Sequence, residues 1–495
     1  MNKPEINFLK KCQLLLGETN IKITELHGWD SVKDYSIDWR RKFFGKPMAV
    51  CFPSTTTEVQ KIIEFAVKDK IKIVPQGGNT GLSGGATPDA TQKQVVMCLK
   101  RMNKIRNVDS QNRTITLDAG CTLKTLQKYA SDLGLFFPLD ITSRDSATVG
   151  GLLSTNAGGL AVLKYGTTRS MCLGIEFVLP TGEIWCRLQG LRKDNSGYDL
   201  KNLFVGSEGT LGIITAATMS LVPKPDNKIT ALLVAQDLAS TISFFCNLQK
   251  KFNDGLTAFE FMQDEALKLL EKHFPDLIPT SFKKYRKHIF ILLEISSFST
   301  GSNVEDFNES IIFHDFLQDC ISNGTLMDGI QSGTEARTKQ FWDIRESITY
   351  ASAKDGPQVK NDLSLPISSI PKFVDKASSK LEKLFPGVRI INFGHLGDGN
   401  LHFNIAPPAQ LGKGVSDEER QKKFRNYLFE NEDKIRRFIN DEVISYSGSI
   451  SAEHGLGQLR KDEAIRIKPA VEIEIMKKIK NCIDPSNTMN PGKVL

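Results

Sequence analysis

The chain has 495 residues, 40% of them hydrophobic and 24% charged, which suggests a soluble globular protein of two or three domains with a real core. Its net charge of +7 is modest and the lysines lie scattered among acids, which argues against a nucleic-acid surface and is compatible with a small anionic substrate. No apolar run approaches the ~20 residues of a membrane helix, and nine cysteines without a Cys-x-x-Cys argue against a disulfide framework and for a reducing compartment.

Residues 1–44 are expected to form an N-terminal helical segment ending in the basic stretch WRRKFFGK. The start, MNKPEINFLKKCQLLLGETN, lacks the apolar stretch of a secretory signal, has no arginine and carries Glu5 and Glu18, a poor match to a mitochondrial transit peptide. An α/β region then begins. Strands are predicted over 49–52, 71–74, 95–99 and 114–117, and Thr55 with Glu58 makes a capping-box pattern for the helix over EVQKIIEFAVKD. Pro223 and Pro225 mark its end.

After the strand at 71–74 comes PQGGNTGLSGG, residues 75–85. Glycines this close allow positive φ and close backbone approach to a ligand. Successive N–H groups then form an anion-binding nest, for which a pyrophosphate is the natural guest. There is no Gly-Lys-Ser/Thr of a P-loop, and ATPDATQKQ, which follows, does not open the helix a Rossmann fingerprint requires. Two further glycine-rich runs, VGGLLSTNAGGLAVLKYG (149–166) and FVGSEGTLGIIT (204–215), argue for backbone approaching a large ligand rather than for a mobile surface loop.

From 225 onward strands (ITALLVA, AFEFM, HIFILLEIS) alternate with amphipathic helices such as that around STISFFCNLQKKF, which suggests an antiparallel sheet with helices on one side. FWDIRESITYAS reads as a helix ended by Asp355-Gly356, with Arg345 and Thr349 one turn apart on one face. The arginine fork matches a carboxylate. GHLGDGNLHFN, residues 394–404, holds two of the seven histidines between two β-prone runs. A hairpin centred on Asp398 and Gly399 sets His395 directly opposite His402, with Cβ atoms roughly 5 Å apart. Two imidazoles so placed can share one ion, or can be an ordinary half-buried pair. Asn404, two residues on, shares their face. A long helix is expected over about 417–445, followed by SGSISAEHGLG and a helical tail to DPSNTMNPGKVL.

The glycine runs together resemble the FAD-binding domain of the vanillyl-alcohol oxidase and p-cresol methylhydroxylase type. PQGGNTGLSGG is similar to the pyrophosphate loop, PLDITSRDSATVGGLLSTNAGG to the segment that wraps the flavin, and LRKDNSGYDLKNLFVGSEGTLGIIT to a later flavin-contacting stretch. The resemblance implies FAD contacts from Pro75, Gln76, Gly77, Gly78, Asn79, Thr80, Gly81 and Leu82. It implies further contacts from Pro138, Ser143, Gly150, Gly151, Ser154, Thr155, Asn156 and Gly158, then from Glu208, Gly209, Ile213 and Asn490. Members with covalent flavin usually carry a histidine in the first loop; 76–81 has none, so non-covalent FAD is implied.

GHLGDGNLHFN, NDLSLP, SAEHGLG and NPGK narrow the resemblance to the D-2-hydroxyacid dehydrogenases, most of all the D-2-hydroxyglutarate dehydrogenases. Those enzymes oxidise a D-2-hydroxy acid to the 2-oxo acid. The resemblance implies a metal on His395, His402 and Glu453, a catalytic base at His454, and a substrate grip from Arg345, Thr349, Lys360, Asn404 and His454. Nitrogen with oxygen ligands suits Zn²⁺, or another divalent ion, and a bound cation lowers the pKa of a chelated hydroxyl. Asn361 departs from the family, which commonly has an aromatic residue there.

The implied architecture is α+β. It comprises the helical segment 1–44, a p-cresol methylhydroxylase-type FAD domain 45–224, an antiparallel-sheet substrate and metal domain 225–455, and a C-terminal helical segment 456–495 packing back on the FAD domain. The expected partners are a small dicarboxylate 2-hydroxy acid and an electron acceptor such as an electron-transfer flavoprotein, with a quinone or a 2-oxo acid as alternatives. A mitochondrial matrix location follows from the resemblance, with cytoplasm the alternative. Competing readings are a D-lactate dehydrogenase of the same fold, a D-2-hydroxyglutarate–pyruvate transhydrogenase, a metal-dependent hydrolase with nucleotide-binding loops, and a flavin-binding module without catalysis.

Overall fold

The computed structural model describes residues 1–253, 255–297 and 303–495, the side chains of 303–309 excepted. The chain divides into two compact units. One gathers Met1–Gly159, Tyr165–Lys224 and Glu453–Leu495; the other gathers Leu160–Lys164 and Pro225–Ala452.

The first unit opens with β1 (Ile21–Ile23), β2 (Ala49–Cys51), β3 (Lys72–Gln76) and β4 (Gln94–Cys98), in the sheet order β1-β2-β4-β3. β4 runs parallel to both β2 and β3. The helix Thr56–Asp69 makes the crossover, burying Val59, Ile62, Ile63 and Ala66. Thr55 accepts the N–H of Glu58 as predicted, but the Glu58 carboxylate reaches back to the N–H of Ser54, one residue earlier than a capping box would have it. Next along the chain come β5 (Ile105–Asp109), β6 (Thr114–Asp118), β7 (Leu135–Phe136), β8 (Cys172–Val178), β9 (Ile184–Arg187), β10 (Ile213–Ser220) and β11 (Val222–Pro223). A five-stranded antiparallel sheet has the order β5-β6-β10-β8-β9, and β7 pairs with β11. A large apolar core runs through the unit, from Phe8 and Leu9 near the start to Met489 near the end, and a smaller cluster joins Val32 to Val50, Val74, Val96 and Cys98 of β2, β3 and β4.

The N-terminal segment is less helical than expected. After the helix Lys3–Leu16, residues 18–35 break into single turns, and β1 joins the sheet antiparallel to β2, with Ile21 opposite Cys51. Ile21 and Ile23 alternate inward and are buried. Burying that two-residue period against β2 outweighs a helical pattern too short to stand alone. The far C-terminus closes the other edge: Ile73 donates its N–H to Thr488 and accepts that of Asn490.

The second unit is built on one sheet of β12 (Asn227–Ala235), β13 (Leu256–Met262), β14 (Ile289–Ser297), β15 (Asp328–Gln331), β16 (Asp362–Ser364), β17 (Arg389–His395) and β18 (Asn400–Ala406). The order is β15-β12-β14-β13-β17-β18-β16, and every neighbouring pair is antiparallel. Helices cover both faces, not one. Phe259 of β13 packs on Phe245 of the helix Leu238–Phe252. Glu260, the next residue and so on the opposite face, meets Arg345 of the helix Glu335–Asp355. The apolar run Ile289–Leu293 of β14, buried throughout, is the signature of a strand covered on both sides. The long helix Asp417–Ser445 has Ser416 as its N-cap, accepting from Glu419.

Candidate flavin cradle and metal centre

The first and third glycine runs and residues 149–159 of the second converge within the first unit. A Cβ on Gly77 would lie 2.1 Å from the Thr148 hydroxyl oxygen, and one on Gly78 would lie 2.0 Å from the Ser146 carbonyl oxygen. Only glycine lets the first run lie against the second this closely. The second run is the helix Val149–Thr155, capped by Thr148 and packed so that a Cβ on Gly150 would meet Ala119 at 2.7 Å. The second run meets the third through backbone bonds, Gly206 N–H to the Leu153 carbonyl and Glu208 N–H to the Ser154 carbonyl at 2.8 Å. Asn490 ties the set together, its Nδ2 donating to the carbonyls of Gly85 and Glu208.

Among the described residues, the N–H groups of Gly78, Asn79, Thr80, Gly81 and Leu82 donate to no protein acceptor. Successive amides without acceptors are an anion nest. Asn79, at φ 57°, bends the loop and its Nδ2 donates to the carbonyls of Asp34 and Ile37. Other residues expected at the cofactor hold the cradle itself. The Gln76 Nε2 donates to the carbonyls of Tyr35 and Ala86. The Glu208 carboxylate accepts the N–H groups of Leu456 and Gly457 at 2.8 and 2.9 Å. Ser143 accepts backbone bonds from Ser146 and Ala147, and Ile213 is buried in the core.

The histidine pair lies in the second unit, and its register differs from the prediction. The turn is a single tight one over Leu396–Asp398 with Gly399 at φ 82°. It pairs His395 with Asn400 and Phe393 with His402. The pairing has slipped by two residues, not one, so both histidines keep the same face. They are diagonal neighbours, with ring centroids 5.5 Å apart. A Cβ on Gly394 would lie 2.5 Å from the Asn400 carbonyl oxygen, so glycine is required where the ribbon closes. Glu453 directly follows Ala452, whose N–H donates to the Asp362 carbonyl. One ligand atom each from His395, His402 and Glu453 lie within 4.8 Å of one another.

Glu260 organises the face. Phe261 pairs with Gly394, so Glu260 falls opposite His395 one step along the ladder. Its carboxylate bonds His395 Nδ1 at 2.6 Å and Arg345 Nε at 2.7 Å. It has no exposed surface. Burial alone would push its pKa up, but the charges and hydrogen bonds of His395 and Arg345 outweigh this and hold it below the ordinary value. The Arg345 guanidinium lies 4.8 Å over the Phe393 ring, and Phe393 in turn is 5.1 Å from the His402 ring. Contacts therefore close a circuit through His402, Phe393, Arg345, Glu260 and His395. With Nε tied, the two Nη groups of Arg345 donate to no protein acceptor among the described residues.

The other expected substrate residues are differently placed. Thr349 is exposed one turn beyond Arg345. Lys360 is half-buried just before β16. Asn404 is buried on β18, and its Oδ1 accepts the N–H of Asn361 at 3.1 Å, which turns its amide nitrogen outward. The Asn361 side chain donates across the ladder to the carbonyl of Phe403, a bond that a phenylalanine could not make. The carbonyl of His454 accepts from the Ser83 hydroxyl, and Arg460 donates to that same hydroxyl and to the Gly455 carbonyl.

Residues 47–187 match the model of an FAD binding domain, and residues 224–494, more than half the chain, match that of the FAD linked oxidases, C-terminal domain. The chain belongs to the FAD-linked oxidase family. Within this family it is 34% identical over 461 residues to the mitochondrial D-2-hydroxyglutarate dehydrogenase of Bos taurus, covering 93% of this chain and 79% of that one. It is 32% identical over 485 residues to the D-2-hydroxyglutarate–pyruvate transhydrogenase of Saccharomyces cerevisiae, covering 96% and 92%. The fold is that of p-cresol methylhydroxylase with substrate bound, at TM-score 0.73 and 17% identity, covering 100% and 97%.

This FAD-linked oxidase is thus an FAD-dependent oxidoreductase of the D-2-hydroxyglutarate dehydrogenase branch. The nest at 78–82 fits the pyrophosphate of the dinucleotide. Two imidazoles and one carboxylate fit a divalent cation with open positions. The sequence reading did not find Glu260. The signal was present in AFEFM, a lone acid in the middle of an otherwise apolar strand, since a buried carboxylate requires partners. Asp362 was missed too. It is buried directly opposite His402 and held by Asn400 Nδ2 at 3.0 Å.

Proposed function

We propose that this enzyme oxidises D-2-hydroxyglutarate to 2-oxoglutarate, with a divalent cation, Zn²⁺ by its donor set, held by His395, His402 and Glu453. The observation that carries this reading is the buried circuit joining the two histidines to Arg345. It supports the reading of a carboxylate-binding fork beside a cation site. When bound, the flavin supplies the two-electron oxidation by accepting the α-hydrogen as hydride at N5. When bound, the cation supplies Lewis acidity toward a chelated hydroxyl.

The chain's own residues do the rest. His454 takes the hydroxyl proton on its imidazole. Arg345, its Nε fixed by Glu260, offers its Nη groups to a carboxylate, and its stacking on Phe393 keeps that fork from swinging. Thr349 and Lys360 take the distal carboxylate, the feature that separates a dicarboxylate from lactate. Asn404 presents its amide nitrogen to substrate because Asn361 occupies its oxygen.

Anaerobic flavin bleaching across a panel of D- and L-2-hydroxy acids, with and without chelator, tests the reading. D-2-hydroxyglutarate should bleach fastest, and chelator should abolish the bleaching. Equal bleaching by L-acids, or none by any 2-hydroxy acid, defeats it. The likeness to the yeast transhydrogenase supports a second reading of the oxidative half, in which pyruvate reoxidises the flavin. Return of the yellow colour on anaerobic addition of pyruvate would select it over an electron-transfer flavoprotein as acceptor. The mitochondrial matrix is the proposed compartment.

A further inference from the structure

Glu260 touches both halves of the proposed site. It lies on β13 with no exposed surface, one oxygen on His395 Nδ1 and the other on Arg345 Nε. A fully buried carboxylate with two cationic or donor partners is costly to build unless both bonds persist. We infer that Glu260 is a positioning residue that holds the cation ligand His395 and the carboxylate fork of Arg345 in one arrangement, so that cation binding and substrate binding share a single support. This deepens the reading under Proposed function and rests on it.

A bond from Nδ1–H to a carboxylate sets the imidazole tautomer that leaves Nε2 with its lone pair outward, and it raises the basicity of that nitrogen. The second oxygen removes one rotational freedom from the guanidinium, leaving the Nη edge as a fixed fork. Phe393 lies under the guanidinium at 4.8 Å and beside the His402 ring at 5.1 Å, so it packs against both groups. Loss of charge at residue 260 therefore loosens both groups at once.

The test uses the full-length, flavin-loaded chain and Glu260→Gln, which keeps the shape and removes the charge. Zn²⁺ affinity is measured by calorimetry after chelator treatment, alongside KM and kcat for D-2-hydroxyglutarate. Zn²⁺ binding should weaken roughly 10- to 100-fold, the usual cost of losing such a support. KM should rise about tenfold or more, with the flavin spectrum unchanged. Unchanged Zn²⁺ affinity and unchanged KM would overturn the inference. If the variant does not fold, nitrogen NMR of the zinc-loaded wild-type chain decides, with His395 assigned from His395→Asn. A proton on Nδ1 supports the inference, and a proton on Nε2 overturns it. Should the wild-type chain itself bind no Zn²⁺, the functional reading fails and the inference fails with it. Normal wild-type binding that Glu260→Gln leaves intact removes only the inference.

Discussion

His402 stands diagonally across its hairpin from His395, paired with Phe393 rather than with its fellow histidine, yet the two rings lie 5.5 Å apart on one face. The side-chain period of a strand is two, so a slip of two residues preserves the face that a slip of one would destroy. The pair is therefore poised to act as a unit, and the two rings should lose the cation together.

Removing one imidazole leaves too few ligands. His402→Ala should emerge from gel filtration without stoichiometric metal by elemental analysis, and turnover of D-2-hydroxyglutarate should fall at least about 100-fold. Flavin content should not change, because the glycine cradle is made by other residues. Full turnover without metal would sink the proposed chemistry.

Lys360 is the residue to which the proposed function assigns substrate choice. Lys360→Ala should lower kcat/KM for D-2-hydroxyglutarate by roughly 100-fold, about 2–3 kcal/mol for a lost charge-assisted bond. D-lactate has no second carboxylate, and its kcat/KM should stay within about twofold. Equal losses on both substrates would return the D-lactate dehydrogenase reading to contention.

The glycine cradle separates two neighbouring glycines by geometry. A Cβ on Gly78 meets the Ser146 carbonyl at 2.0 Å, whereas one on Gly81 has nothing within 4 Å. In flavin-stripped protein Gly81→Ala should melt within about 2 °C of wild type. Gly78→Ala forces backbone apart and should lose several degrees, consistent with a few kcal/mol of overpacking. Differential scanning calorimetry of the two variants side by side makes the comparison, and equal melting temperatures would contradict it.

Lys493 is buried near the C-terminus, and burial, opposed by Asp89 and reinforced by Lys461, lowers its pKa to about 8. The unfolded chain keeps the ordinary lysine value near 10.4. Below pH 8 the folded state carries a buried ammonium and its full cost. Between roughly pH 8 and 10.4 the unfolded state binds more protons, so this group's contribution to stability rises with pH, by at most about 3 kcal/mol. Lys493→Met should flatten that rise. Urea melts of both proteins at pH 7.5 and 9.5 measure it, and identical pH dependence in the two would refute the assignment.

What the sequence by itself determined is the local chemistry. The helix Asp417–Ser445 follows from its cap and its period, the three glycine runs announce close backbone approach, and the two histidines share a face because Gly397 to Asn400 can only turn. Each is settled by groups within a few residues of one another. Tertiary structure decided the rest. These are the register of β17 against β18, the second helical cover on the sheet, the conversion of residues 21–23 from helix to edge strand, and above all the meeting of Glu260 with Arg345 and His395, 85 and 135 residues further along the chain. No local pattern encodes which distant partner a buried carboxylate meets. That choice belongs to the packing of the whole sheet, where an unpaired charge at Glu260 would cost several kcal/mol and only this arrangement supplies both of its partners.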